Sequence, residues 1–207
     1  MADDAPVITV LVSDTSPLIT LASAQSLEYL LYLGLPIVIP DGVFYEATAD
    51  GAKLGAQAIR EWVLAHHERV RIAPTSIFAA ARSSAQRVKG LGELSALEAV
   101  QDLDLPQGAR AILMFEDARA ARTLIPDNQI LAVSTRDFLV ALAGEGLISS
   151  AEAVYQRARE AGRHPADLDL LAHLSPQDRA AFEAVIKTAR PLGTDAGANT
   201  PRQPPNG

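Results

Sequence analysis

Short runs of branched aliphatic residues recur along this chain, and most of them end at or beside a carboxylate or hydroxyl before a stretch with helical spacing takes over. The runs are ITVLVSD at 8–14, LPIVIP at 35–40, VRIAP at 70–74, AILMFED at 111–117 and ILAVS at 130–134. Runs of this length and composition read as strands. The intervening segments, with Leu, Ile and Ala three and four apart, read as helices. Strands alternating with helices at this density specify a mainly parallel sheet covered on both faces, so we expect an α/β fold arranged as a three-layer α/β/α sandwich. In such sheets ligands bind beyond the carboxyl ends of the strands. Asp14 and the Glu116/Asp117 pair stand at such ends.

The expected helices run from TSPLITLASAQSLEYLLYLG at 15–34, through DGVFYEATAD with Asp41 as its cap, to residues 52–68 and 76–90. Gly90 and Gly92 punctuate the chain at GLGELSALEAVQDL, ARAARTL opens a further helix after the acids, and helices fill 135–162. Residues 163–190 read as a helical appendage, started by the pair Ser175-Pro176. The tail at 191–207, rich in Gly, Pro and Asn, has the composition of a disordered segment. A chain of 207 residues suits one domain with an appendage.

Composition narrows the chemistry. With no cysteine, disulfides, thiolate metal sites and a Cys nucleophile are excluded, and any metal must be held by oxygen or imidazole. A net charge of −7 argues against a broad basic surface for nucleic acid. It does not argue against a nuclease, because carboxylates gathered around cations reverse the local field. The opening MADDAPVITV has neither the basic segment nor the apolar stretch of a secretory signal. No run reaches the ~20 apolar residues of a membrane span. We expect a cytoplasmic protein.

The candidate chemistry lies in Asp14, Glu46, Glu93, Glu116 and Asp117, each near a helix start or the end of an apolar run. Acids brought to one edge repel one another unless cations neutralise them. Hard divalent cations take oxygen ligands, and such a site suits phosphodiester hydrolysis by a metal-activated water. Taken singly, Asp14 followed by Thr15, Ser16 and Pro17 reads equally well as a capping turn. Thr15 and Ser16 either orient Asp14 or are turn residues. Thr135 is a candidate phosphate-side hydroxyl, and Asp137 reads as a helix cap. Arg119 and Arg122 share a helix face that meets phosphate or solvent. Arg82, Arg87 and Lys89 form a basic stretch fit to follow an RNA backbone or simply to be surface. His66 and His67 are adjacent on a helix and cannot face one zinc ion together.

At these residues the chain resembles the PIN-domain nucleases, VapC-like toxins among them, in the branch opening with an Asp-Thr-Ser-Pro-Leu-Ile turn. DTSPLITLA at 14–22, VIPDGVFYEAT at 38–48, LGELSALEAV at 91–100, ILMFEDARAAR at 112–122 and VSTRDFLVALAGEGLI at 133–148 carry the likeness, in the expected order over residues 8–162. The resemblance implies a PIN-like nuclease domain over 1–162 and an endoribonuclease that uses Mg²⁺ or Mn²⁺. It further implies an RNA substrate, the toxin role in a bacterial toxin–antitoxin pair, a small antitoxin partner and a homodimer. Asp14, Glu46 and Glu93 carry over as metal ligands. The fourth motif departs from the usual pattern, which begins with Asp: here Glu116 precedes Asp117, and either acid can be the fourth ligand. Other readings stand beside this one. A haloacid-dehalogenase-like phosphatase needs a second Asp where Ser16 stands. A catalytically weak PIN-like module would act by binding RNA or protein. The segment LEYLLYLGL carries more Leu and Tyr than one buried stripe needs, which points to the dimer contact.

Overall fold

In the computed structural model, which describes residues 7–84, 88–117 and 129–191, all five aliphatic runs enter one sheet. These are β1 (Val7–Ser13), β2 (Ile37–Pro40), β3 (Val70–Ala73), β4 (Ala109–Phe115) and β5 (Ile130–Ser134). Their spatial order is β3-β2-β1-β4-β5, and every neighbouring pair is parallel. Parallel neighbours need a crossover connection, so the segments between strands return over the faces of the sheet. The chain is a three-layer α/β/α sandwich with a five-stranded parallel centre. Leu11, Val12, Ile112 and Leu113 of the central strands are fully buried, which is why these strands read as unbroken apolar runs rather than alternating ones.

The helices are α1 (Thr15–Ser23), α2 (Asp41–Thr48), α3 (Ala56–Ala65), α4 (Ser76–Ser84), α5 (Leu91–Gln101), α6 (Thr135–Gly144), α7 (Ala151–Glu160) and α8 (Pro176–Thr188). The single helix expected over 15–34 is two pieces. α1 ends at Ser23 and a 3-10 turn occupies Leu27–Leu33. Gln25 takes a left-handed conformation at φ 53°. The N–H of Gln25 donates to the Ala22 carbonyl and that of Ser26 to the Leu21 carbonyl, the pattern that closes a helix around a left-handed residue. Arg157 clamps this turn, donating to the Ala24 carbonyl and to Ser26 Oγ, both at 3.0 Å.

Asp41 begins α2 instead of capping it. Its carboxylate accepts from Gly42 N and from the N–H and hydroxyl of Thr75, which ties the end of β3 to the start of α2. The leucines of 27–33 are spent on the core: Leu27, Leu30, Leu31 and Leu33 are all buried within the chain. Tyr29, Tyr32 and Leu35 of the same segment are only partly buried against that core. Residues 163–190, set apart above as an appendage, pack onto the same core through Leu170, Phe182, Ile186 and Ala189, and Asp178 on α8 pairs with Arg110 of β4. Ser175 caps α8 by accepting from Asp178 N at 3.1 Å, with Pro176 at the first helical position. The helix expected in ARAARTL, with Arg119 and Arg122, lies outside the described residues, as do Arg87 and the tail from 192.

Candidate active site

Parallel pairing delivers the ends of β1, β2, β4 and β5 to one edge, and the acids arrive there from separate segments. Asp14 follows β1, Glu46 rides on α2, Glu93 lies in the first turn of α5 and Glu116 follows β4. Asp14 is 7% exposed and stands at the N-cap position of α1 with extended backbone, yet its side chain makes no capping hydrogen bond. Its pKa is pushed from 3.8 up to about 7. Burial is the largest cause. The Thr15 backbone N–H pulls the other way, while the charges of Glu93, Glu46 and Glu116 add to the rise. Three carboxylates from three other segments thus bear on Asp14, and the capping alternative for it is not what the side chain does.

Glu93, near the surface, is also raised, first by loss of hydration and then by Asp117 and Glu46, with Lys89 opposing. Asp117 is exposed and lies close enough to act on Glu93. Glu46 accepts from Thr15 Oγ1 at 3.3 Å, so the Thr15 hydroxyl serves the second acid while its backbone N–H serves Asp14. Gly92 makes this meeting possible. A Cβ there would lie 2.6 Å from Glu46 Oε2 and 2.7 Å from Thr15 Oγ1. Only glycine leaves room for the α2 carboxylate and the α1 hydroxyl against the first turn of α5. Ser16 is half-buried at the start of α1.

Glu116 is 5% exposed. Burial lifts its pKa above the ordinary range against the opposing pull of Thr20, Thr135 and Arg163. Its Oε2 accepts from the Thr20 hydroxyl at 3.0 Å and from Arg163 Nη2 at 2.9 Å, and Arg163 Nε donates to Thr20 Oγ1 at 3.0 Å. Its Oε1 is buried with no hydrogen-bond partner among the described residues, and so is Thr135 Oγ1. The Thr135 hydroxyl, fully buried beside Glu116, favours the ionised carboxylate without closing a well-formed hydrogen bond. Asp137 serves as the cap expected of it. It accepts from Ser134 N at 3.2 Å and from Leu170 N at 2.9 Å, while Ser134 Oγ accepts from Asp137 N at 3.0 Å.

Thr20 and Arg163 escaped the sequence reading. Thr20 breaks an otherwise apolar stripe of α1 formed by Pro17, Leu18 and Leu21, a signal that was available. Arg163 carries none, because it follows Gly162, whose φ of 90° ends α7, and reaches a partner far away in sequence.

The donor set suits a hard cation. Every candidate ligand is a carboxylate, Glu116 holds an orphaned buried oxygen, and neighbouring acids raise the pKa of Asp14 and of Glu93. Among the described residues no three acids or histidines stand close enough to grip one ion between them. Mg²⁺ does not require that, since it keeps several waters and uses one or two carboxylates directly. A cleft of about 920 Å³ opens beside Thr15 and Glu46. In comparison with known proteins, a family model described as PIN domain matches residues 10–170. No curated protein matches the chain.

Proposed function

Since the chain belongs to the PIN-domain family, whose members are generally nucleases, we propose that it is an endoribonuclease dependent on Mg²⁺ or Mn²⁺. The observation carrying this reading is the uncapped, buried Asp14 with its pKa pushed up to about 7 under the charges of Glu93, Glu46 and Glu116. A buried acid that makes no side-chain capping bond and faces like charges costs stability, which a purely structural role does not account for.

Asp14 would hold the cation directly, with Glu93 and Glu116 acting directly or through its waters and Asp117 at the exposed rim. Glu116 is favoured over Asp117 as the fourth ligand because Thr20 and Arg163 take up its Oε2 and leave Oε1 unclaimed. When bound, the cation lowers the pKa of a coordinated water and offsets charge at the phosphate. Thr15 fixes the Glu46 carboxylate, which would orient the attacking water or take its proton. Thr135, fully buried next to Glu116, would act on the site through that carboxylate.

Cleavage of a mixed pool of unstructured and hairpin RNA with Mg²⁺, with Mn²⁺ and with EDTA tests the proposal. Metal-dependent cleavage lost in Asp14→Asn is expected, and cleavage that survives that substitution would remove it. The wider reading, that this is a cytoplasmic toxin silenced by a small antitoxin and able to pair as a homodimer, draws its support from the opening motif's resemblance. Growth arrest on induced expression, absent with Asp14→Asn, checks it.

One observation favours the rival reading of a weak or inactive binding module. Arg163 already supplies Glu116 with a positive partner, which offsets part of the need for a metal. RNA or partner binding without cleavage, from folded protein, is the result that module predicts.

A further inference from the structure

The cleft beside Thr15 and Glu46 is also lined by Tyr45, Phe78, Arg82 and Lys53. Tyr45 neighbours Glu46 on α2 but is 41% exposed, while Val43 and Ala47 on the same helix are fully buried. Two groups meet its ring. The Phe78 ring of α4 lies at 5.3 Å between centroids and 49° between planes, and the Arg82 guanidinium stands 5.5 Å from the ring centre. Lys53 is anchored by its ammonium to the Glu46 carbonyl at 3.1 Å.

An aromatic ring kept out of the core, fixed by a second ring and accompanied by two cations is the combination that holds single-stranded nucleic acid. Bases stack on the ring and phosphates meet the cations. Continuity with the carboxylates decides what such a platform serves here, because Thr15 and Glu46 line the same cleft. Asp50 lines it too, so a strand must pass on the side of Arg82 and Lys53.

Resting on the nuclease reading above, we infer that Tyr45, Phe78 and Arg82 form a subsite that stacks an unpaired base next to the scissile phosphate. The subsite thereby selects single-stranded over duplex RNA. A ring face is open only to a base that has left its own stack, so the platform rejects a paired helix while the acidic site alone would not.

Fluorescence anisotropy tests this in the Asp14→Asn protein with Mg²⁺, using a labelled unstructured oligoribonucleotide and a hairpin of the same length. The unstructured strand is expected to bind more tightly than the hairpin. Adding Tyr45→Ala should weaken its binding by ~5- to 100-fold, the range that loss of one stacked base gives. Adding Tyr45→Trp instead should restore it. Arg82→Ala should weaken binding and reduce its salt dependence by about one phosphate contact. Tyr45 is exposed, so these variants should keep the wild-type circular dichroism. Affinity indifferent to Tyr45→Ala, or equal for strand and hairpin, overturns the subsite; the exposed ring would then belong to a protein contact. If the wild-type protein still cleaves the RNA pool in that case, the nuclease reading stands without the subsite. Absence of both RNA binding and cleavage removes both.

Discussion

Two strand-to-helix turns leave the same edge of the sheet, β1 into α1 and β5 into α6, and each buries an aspartate. Asp14 is 7% exposed and Asp137 is 2%, and burial is the main reason that both carboxyls are raised. Their surroundings are opposite. Asp137 is met by two backbone N–H donors, from Ser134 and Leu170, inside a complete capping box. Asp14 makes no side-chain capping bond, takes only the backbone N–H of Thr15, and faces Glu93, Glu46 and Glu116. A buried acid satisfied by backbone donors is part of the scaffold, whereas one left facing other acids is placed for a cation.

The sharpest way to break this comparison is to neutralise both acids in turn. Asp14→Asn should lower RNA cleavage by at least ~100-fold, since even residues that merely support metal ligands cost 10- to 100-fold, while circular dichroism stays that of the folded protein. Asp137→Ala should leave cleavage per folded molecule unchanged. Loss of cleavage in a well-folded Asp137→Ala would erase the distinction.

pH sharpens the comparison further. Asp14 is protonated in both folded and unfolded states below 3.8, so it costs nothing there. From 3.8 up to about 7 the unfolded chain ionises while the folded state keeps the proton, so stability falls as pH rises, and the cost is complete above that. A carboxyl carried that far costs on the order of 4 kcal/mol once ionised. In EDTA, urea denaturation should show wild type gaining stability relative to Asp14→Asn as pH falls from 8 to 5. A constant difference between the two would refute the assignment. Added Mn²⁺ should shrink the gap at pH 8.

For Asp137→Ala, two orphaned backbone donors should lower stability by about 1–3 kcal/mol, read from the same denaturation curves. The smallest effect is expected from Gly92→Ala. It should cut cleavage roughly tenfold by displacing Glu46, the scale on which misplaced supporting groups act. Stability should change by less than ~1 kcal/mol, because better helix propensity offsets the crowding.

Much of this was legible in the residues. The aliphatic runs mark all five strands, and the parallel rule puts Asp14 and Glu116 at one edge from the sequence alone. Asp137 was legible because Ser134 three residues before it writes a capping signal into the chain. The break after α1 was not, because Gln25 takes the left-handed position where glycine is the usual mark. By contrast, Gly162 ends α7 in the open. The pairing of Arg163 with Glu116 and Thr20 was invisible for a different reason: it depends on the path of α7 back across α1, which no local pattern encodes. The packing of α8 onto the core follows the same logic, since Phe182 and Ile186 are readable as an apolar face but their partner surface is not.

The most direct test is Mn²⁺ titration by calorimetry, in buffers of differing ionisation enthalpy, on wild type and Asp14→Asn from pH 6.5 to 8.5. Because a cation binds the ionised carboxylate, a half-protonated Asp14 must release its proton on binding. The account predicts millimolar or tighter binding with proton release that declines as pH rises past about 7, and loss of that proton release in Asp14→Asn. Absence of binding at millimolar Mn²⁺, or identical binding and proton release in the two proteins, would contradict it.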